Sequence, residues 1–403
     1  MCCGTNLFTH TVVLRRMSAL WAYPWTLAEE GLDEAWTTLS CIGADTINLA
    51  SHYHSVRSMQ PRFPDHLFES QPGGCYFTPA PDRFVGTPID PLPNEVPPFD
   101  DPLATVVESA DAAGIDVNGW VVLFHNSRLG ATHPEYRFES AYGDPQDHAF
   151  CPSHPDVREY FAAVVEAVVA RGVNEVHLET AGFPMVFHGH GREFGHDKRQ
   201  VLTSRTEELL LSQCFCDGCR AAAQSRGIDL TDARRAVRDL LETSFAHPHR
   251  DAPGLGSLVA ERPIIRELFD FRASVVADLF ERLSDAAGGT PLNYYVMDGG
   301  GLDSDDVWPA GIRLGDLSDH VDRVTALCYV RDPEVACTRI DGIASRFGGP
   351  VDAGITLDHE IVRSEAELRH LVTAVEAAAG GTTHAYHYSL ITDAQLSWLR
   401  SEM

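Results

Sequence analysis

The sequence predicts an α/β fold, a (β/α)8 or TIM barrel, on three observations. Short runs of β-branched and aromatic residues recur along the chain, eight such runs can be distinguished, and segments of helical periodicity lie between them. Strands that alternate with helices pair in parallel, and eight strand–helix units close a barrel. An open, doubly wound sheet is the alternative, but no glycine-rich phosphate loop follows any of these runs.

The predicted strands are rich in Val, Ile, Leu, Thr, Trp and Tyr. They are "SALWAYP" (18–24), "TINLA" (46–50), "VNGWVVLFH" (117–125), "EVHLET" (175–180), "PLNYYVMD" (291–298), "RVTALCYV" (323–330), "VDAGITLD" (351–358) and "THAYHYSL" (383–390).

Several intervening segments contain helix start signals. Asp101 is placed as an N-cap with Pro102 at the first helical position. Pro155 begins a second helix, which has an apolar stripe. Ser364 and Glu367 have the spacing of a capping box. These signals support helices between the predicted strands.

We expect residues 1–16 to form a disordered tail and residues 17–403 to form one barrel domain. Two connections, residues 51–100 and 181–262, are too long for plain loops. Each follows a strand, so in a barrel both insertions lie at the C-terminal face, where active sites are built.

The chain is strongly acidic, with 31 basic residues against 58 acidic ones and a net charge of −27. Such a surface argues against nucleic acid and anionic membranes as partners, because phosphate contacts need clustered cations. The acidity, together with a single lysine, Lys198, resembles salt-adapted (halophilic) proteins. With neither a membrane span nor a signal peptide recognised, we expect a cytoplasmic protein. The sequence is compatible with both a monomer and a homo-oligomer.

Cysteines are concentrated in "LLLSQCFCDGCRAAAQ", residues 209–224, where Cys214, Cys216 and Cys219 have the spacing of thiolate ligands. Cys151, in the loop after the third strand, is the natural fourth ligand. We therefore predict a structural Zn²⁺ site with four cysteines. Buried free thiols, disulfides and a redox motif are the alternatives.

"FCPSHPDVREYF" followed by "CFCDGC" resembles the zinc-binding arrangement of the glycoside hydrolase family 42 β-galactosidases. The resemblance covers residues 18–225, and "FHNSRLG" extends it to uncharacterised glycosyl-hydrolase-like barrel proteins. It implies a barrel, a four-cysteine zinc site and a glycosidase active site. Leu178 departs from the family, which usually has Asn at that position.

Glycoside hydrolysis needs two carboxyl groups, placed at the C-terminal ends of barrel strands. Glu179 ends the fourth strand, where the resemblance implies the general acid/base. The family's nucleophile is a glutamate ending the seventh strand, where this chain offers Asp358 first and Glu360 beyond it. Asp298, which ends the fifth strand, would instead fit the pairing of amylase-like barrels. Asp358 and Asp298 both stay candidates for the second carboxylate.

Histidines, polar residues and aromatic rings follow the predicted strand ends, as in carbohydrate pockets. The substrate-binding candidates are Trp25, His54, His125, Asn126, Arg128, His188, Tyr329 and Tyr386. A second, catalytic metal held by His188 and His190 with Glu179 or Asp197 is the alternative use of the histidines.

The sequence thus predicts a glycoside hydrolase that acts on a small glycoside or oligosaccharide by a two-carboxylate mechanism. A metal-dependent lyase or isomerase of sugar-like substrates is the alternative enzyme. A non-catalytic carbohydrate-binding barrel is the third possibility, since fold does not fix function.

Overall fold

The computed structural model describes residues 18–187, 198–201, 204–250, 252–296 and 310–400. All eight predicted strands are present. They are β1 (Ala19–Ala22), β2 (Thr46–Tyr53), β3 (Asp116–Val122), β4 (Val176–Glu179), β5 (Leu292–Val296), β6 (Arg323–Leu327), β7 (Val351–Thr356) and β8 (Thr383–Tyr386). The predicted tail, residues 1–16, lies outside the described residues.

The eight strands are parallel and form a closed barrel. Each pairs with its neighbours in chain order from β1 to β8. Ala19 of β1 lies beside both Thr46 of β2 and His384 of β8, which joins the first and last strands. The carboxyl ends of all eight strands therefore meet on one face of the barrel.

Helices cover the outside of the barrel and fill the long insertion after β4. They are α1 (Pro24–Glu30), α2 (Leu32–Ile42), α3 (Pro102–Ala113), α4 (Ser127–Thr132), α5 (Pro155–Val169), α6 (Arg205–Leu211), α7 (Asp217–Ser225), α8 (Leu230–Ala246), α9 (Leu255–Glu261), α10 (Pro263–Ala287), α11 (Leu314–Leu317), α12 (Pro333–Phe347), α13 (Glu365–Ala378) and α14 (Asp393–Leu399). Among the helices in the described part of the chain, none has the length and apolarity needed to cross a bilayer.

The helix ends follow the sequence signals with one correction. Asp101 caps α3 by accepting the N–H of Ala104 at 3.0 Å. Ser364 caps α13 by accepting the N–H of Glu367, but the carboxylate of Glu367 accepts the N–H of Arg363, at 2.8 Å. The second bond of the predicted capping box is therefore made one residue earlier.

The insertion after β2 is built from short antiparallel pieces. Its main element is a hairpin of strands Val56–Met59 and Phe68–Gln71, which we call the rim hairpin. A short strand, Gly74–Cys75, then pairs antiparallel with the end of β2. A second hairpin, Arg137–Glu139 with Pro145–Phe150, follows β3. These segments build the surroundings of the C-terminal face.

Candidate active site

Side chains that point into the barrel form two layers of different chemistry. The lower layer, toward the N-terminal ends of the strands, is polar and contains Asn48, Asn118, His177, Asn293, Thr325, Asp352 and His384, all buried. The upper layer, toward the C-terminal ends, contains Trp21, Trp120, Glu179, Tyr295, Leu327, Thr356 and Tyr386. Gly354 of β7 leaves space for this layer, because a Cβ atom there would lie 3.0 Å from Cη2 of Trp21.

A cavity of about 700 Å³ opens above the upper layer at the C-terminal face. Its inner wall contains a group of Trp and Tyr side chains, namely Trp21, Tyr23, Tyr53, Trp120, Tyr295, Tyr329 and Tyr386. Glu179 and Asp358 are the carboxylates among its described lining residues. A cavity that combines aromatic rings with polar side chains is typical of a small-molecule site.

Glu179 lies at the last position of β4 with its carboxyl group among these rings. Trp120 donates its Nε1–H to Oε2 of Glu179 at 2.7 Å. Burial raises the pKa of Glu179 to about 7, although the Trp120 hydrogen bond acts in the opposite direction. Because of this raised pKa, a substantial fraction of the Glu179 carboxyl groups is protonated at neutral pH.

The residue after Glu179, Thr180, has φ of 56°, a left-handed conformation that is rare for a β-branched residue.

The tyrosines around Glu179 are held in the protonated state. Burial raises the pKa values of Tyr53, Tyr329 and Tyr386, and the nearby Glu179 raises them further. The hydroxyl groups of Tyr23 and Tyr53 lie 3.4 Å apart. These phenols can donate hydrogen bonds to a ligand in the cavity.

A chain of hydrogen bonds connects the upper layer with the lower one. Trp21 donates its Nε1–H to the Tyr295 hydroxyl at 2.7 Å, and that hydroxyl lies 2.8 Å from Nδ1 of His177. The carboxylate of Glu175 can only accept, so Nε2 of His177 donates to it at 3.1 Å. In a neutral ring Nδ1 is then an acceptor, and the Tyr295 hydroxyl donates to it. Burial lowers the pKa of His177, in keeping with a neutral ring.

The two candidates for the second carboxylate differ in what the structure describes. Asp358 lies at the rim of the cavity with 56% of its side chain exposed. Its Oδ1 accepts the N–H of Glu360 at 2.8 Å. Asp298 lies outside the described residues. The identity of the second carboxylate therefore stays a prediction.

Three of the predicted substrate-binding residues line the cavity, namely His54, Tyr329 and Tyr386. His54 stacks on the ring of Tyr53, with centroids 4.1 Å apart, and burial lowers its pKa. The rings of Tyr329 and Tyr386 have centroids 5.7 Å apart. These three side chains are positioned for ligand contact.

The other predicted binding residues lie behind the cavity wall or outside the described chain. Trp25 stacks on Tyr23 at 4.2 Å, and the His125 ring lies 4.6 Å from that of His54. Asn126 caps α4 and donates to the Tyr53 carbonyl at 3.3 Å. His188, with the alternative metal ligands His190 and Asp197, lies outside the described residues.

Arg128 ties the insertion after β2 to the barrel. Its Nη1 donates to the carbonyl of Gly73 at 3.1 Å and to Oδ1 of Asn94 at 2.9 Å. Arg128 and Asn126 thus hold the cavity wall in place and are not among the residues that line the cavity.

Sequence reasoning missed Trp120, Tyr53 and Tyr295. All three lie near the carboxyl ends of strands β2, β3 and β5, at positions that face the barrel interior. Trp120 and Tyr295 each follow an inward-facing Asn by two residues, so alternation within the strand contained the signal.

The four predicted zinc ligands lie together in the structure. The Sγ atoms of Cys151, Cys214, Cys216 and Cys219 are all buried and lie within 4.8 Å of one another. Sγ of Cys151 is 3.4 Å from that of Cys219 and 3.7 Å from that of Cys214. Four thiolates about 2.3 Å from a tetrahedral Zn²⁺ lie roughly 3.8 Å apart, so this cluster could bind a metal ion.

Groups around the cluster suit a set of thiolates. The N–H of Glu139 donates to Sγ of Cys214 at 3.4 Å, and Ser153 Oγ lies 3.3 Å from Sγ of Cys219. Nε2 of His154 lies 3.5 Å from Sγ of Cys216. Such donors stabilise the charge of metal-bound sulfur.

Two solved structures show the same fold. α-L-Fucosidase isoenzyme 2 from Paenibacillus thiaminolyticus matches with a TM-score of 0.53 and 13% identity, over 96% of this chain and 48% of its own. A β-galactosidase from the psychrophilic Marinomonas ef1 matches with a TM-score of 0.58 and 10% identity, over 96% and 58%. This chain therefore spans about half the length of these proteins.

These similarities establish the barrel fold and do not single out glycoside hydrolase family 42. No protein-family model matches the sequence, and no curated protein sequence matches it significantly. The chemistry of the cavity has to support any functional assignment.

Proposed function

We propose that the protein is a glycoside hydrolase with Glu179 as its general acid. The observation that supports this most is the carboxyl group of Glu179 itself, at a strand end inside an aromatic cavity, with its pKa raised to about 7 by burial. Such a group is protonated near neutral pH and can transfer its proton to a leaving oxygen. The two similar structures are a fucosidase and a β-galactosidase, which supports the same class.

The residues of the cavity suggest how the proton transfer would proceed. Glu179 donates its proton to the glycosidic oxygen as the bond from that oxygen to the anomeric carbon breaks. The carboxylate that remains accepts the Nε1–H of Trp120, which stabilises the new charge. Tyr53 and Tyr386 donate to sugar hydroxyls. In this proposal Asp358 or Asp298 attacks the anomeric carbon or activates water.

An activity screen with chromogenic aryl glycosides tests the proposal, with Glu179→Gln beside the wild type. We expect turnover in the wild type and a loss of about 10²- to 10⁴-fold in the variant, because the amide cannot supply a proton. Glu108→Gln, an exposed change on α3, is the matched control. Equal turnover in Glu179→Gln and wild type would contradict the role of Glu179.

Chelator controls separate the alternatives in that screen. Activity that a chelator abolishes while the protein stays folded would favour a metal-dependent lyase or isomerase. Carbohydrate binding without turnover in any screen would favour a non-catalytic barrel.

We also propose that Cys151, Cys214, Cys216 and Cys219 bind a structural Zn²⁺. All four coordination positions are then taken by sulfur, so the metal stabilises the insertion after β4 and takes no part in the reaction. Metal analysis of the purified protein should find about one zinc ion per chain, and Cys216→Ser should lose it and melt at a lower temperature. Cys337→Ser, a change outside the cluster, is the control. A wild type that is purified without zinc, and whose melting temperature does not change when zinc is added, would refute the site.

A further inference from the structure

The rim hairpin presents an unusual surface at the mouth of the cavity. Arg57 and Met59 line the cavity, and both side chains are exposed. Met59 lies directly opposite Phe68 in the hairpin register, so the two side chains share one face. Met59 is 50% exposed and Phe68 is 51% exposed. An apolar pair is thus open to solvent beside the candidate active site.

Arg57 belongs to the same face, because it lies two residues before Met59 on the strand. Its guanidinium carbon lies 4.3 Å from the centroid of the Phe68 ring. The planar guanidinium over an aromatic ring forms a cation–π pair. Together the three side chains make a platform with apolar surface and hydrogen-bond donors.

This combination matches the two kinds of surface on a sugar ring. A pyranose has a face of C–H groups that packs on apolar and aromatic surfaces, and a rim of hydroxyls that accept hydrogen bonds from Arg. Exposed apolar patches rimmed by polar groups mark binding surfaces, and this one is continuous with the cavity that contains Glu179.

We propose that Arg57, Met59 and Phe68 form an outer subsite that binds the second sugar unit of an oligosaccharide. The inference rests on the proposed function, since the terminal unit would lie beside Glu179. It makes oligosaccharides, and not glycosides of one sugar with a small leaving group, the preferred substrates.

Binding of unlabelled sugars tests the subsite without turnover. A glycan array with Glu179→Gln would identify the sugar, and calorimetry would compare the monosaccharide, disaccharide and trisaccharide. We expect Phe68→Ala, added to this background, to weaken binding of the disaccharide and trisaccharide about 5- to 20-fold. Monosaccharide binding should stay unchanged. Arg57→Ala should act in the same direction, and Val85→Ala, at a residue 83% exposed outside the cavity lining, should have no effect.

Each outcome separates the subsite from the hydrolase proposal. Equal binding of the disaccharide with and without Phe68→Ala, or no binding of any oligosaccharide, overturns the subsite. Hydrolysis of a monosaccharide fluoride by the wild type would in that case still support the hydrolase. Length-dependent binding that Phe68→Ala weakens, with no turnover in the wild type, supports the subsite and contradicts the hydrolase.

Discussion

The upper and lower layers of the barrel each bury a carboxyl group, and the pKa values of the two groups move in opposite directions. Burial raises the pKa of Glu179 in the upper layer to about 7. Burial would also raise the pKa of Asp352 in the lower layer, but His384, Arg323 and the Thr382 N–H outweigh it and hold that pKa below its usual value. The direction of the pKa shift therefore differs between the two layers, although burial acts in the same direction on both groups.

The difference lies in the hydrogen-bond donors around each group. Oδ1 of Asp352 accepts the N–H of Thr382 at 2.7 Å, and Oδ2 accepts Nδ2 of Asn293 at 3.0 Å. Nη1 of Arg323 lies 3.5 Å from Oδ2. Glu179, by contrast, accepts Nε1 of Trp120, and its other neighbours in the described part of the chain are mainly aromatic rings. Several hydrogen-bond donors stabilise the ionised form of Asp352 and give it a structural role. With one such donor, burial dominates, so Glu179 is suited to hold a proton.

The lower layer is built from polar side chains that pair with one another. Asn118 donates to Asn48 at 2.9 Å, and Asn48 donates to Nδ1 of His384 at 2.9 Å. Nε2 of His384 lies 3.6 Å from Asp352. Because its members supply partners to one another, the network holds the strands in register below the cavity.

Asp352→Asn should produce the largest effect on stability. The amide keeps one acceptor oxygen, but its NH2 group faces the donor of either Asn293 or Thr382, and the charge beside Arg323 is lost. We therefore expect a loss of about 3 kcal/mol at pH 7. The lowered pKa of Asp352 contributes stability above the usual aspartate pKa that is lost as pH falls through the folded value. The difference from wild type should therefore shrink below about pH 4 in urea unfolding. Exposed Asp111→Asn is the control, and a pH-independent difference would contradict the argument.

Glu179→Gln should show the opposite pH dependence in the same experiment. A folded pKa of about 7 lies above the unfolded value, so the wild type loses stability as pH rises from about 4.5 to 7. Glutamine cannot ionise, so the variant does not lose this stability. Over this pH range its free energy of unfolding should rise relative to that of the wild type by on the order of 1–3 kcal/mol. If the unfolding free energies of the two proteins changed in parallel with pH, the pKa of Glu179 would not be raised, and the two carboxyl groups would not differ as argued.

The strand positions and the place of Glu179 at the end of β4 could be predicted from sequence because both depend on local rules. Apolar alternation marks a strand, and a polar residue at its carboxyl end marks the active face of a barrel. Alternation would also have placed Trp120 and Tyr295 inside the barrel, but it could not place Tyr53. The pairing of β2 with β3 shifts between Ala50 and His52, so simple alternation fails before Tyr53. Asn126 and Arg128 have the chemistry of sugar ligands, but three-dimensional contacts show them anchoring the cavity wall.

The smallest expected effect, and the most specific one, concerns Trp120. Trp120→Phe keeps an aromatic ring but removes the hydrogen-bond donor to Glu179, so the pKa of that carboxyl group should rise further. A general acid is active while protonated. The pH at which kcat/KM falls to half of its maximum should therefore rise by about half a pH unit to one pH unit, and the maximum itself should be a few-fold lower.

Trp36→Phe is the matched control, because Nε1 of Trp36 donates to Oγ of Ser109 at 2.7 Å, outside the cavity lining. It should leave the pH profile in place. A profile that moves downward in Trp120→Phe, or moves equally in both variants, would mean that the number of donors does not set the pKa of Glu179. The contrast between the two layers would then need another cause, such as the charges near Asp352 alone.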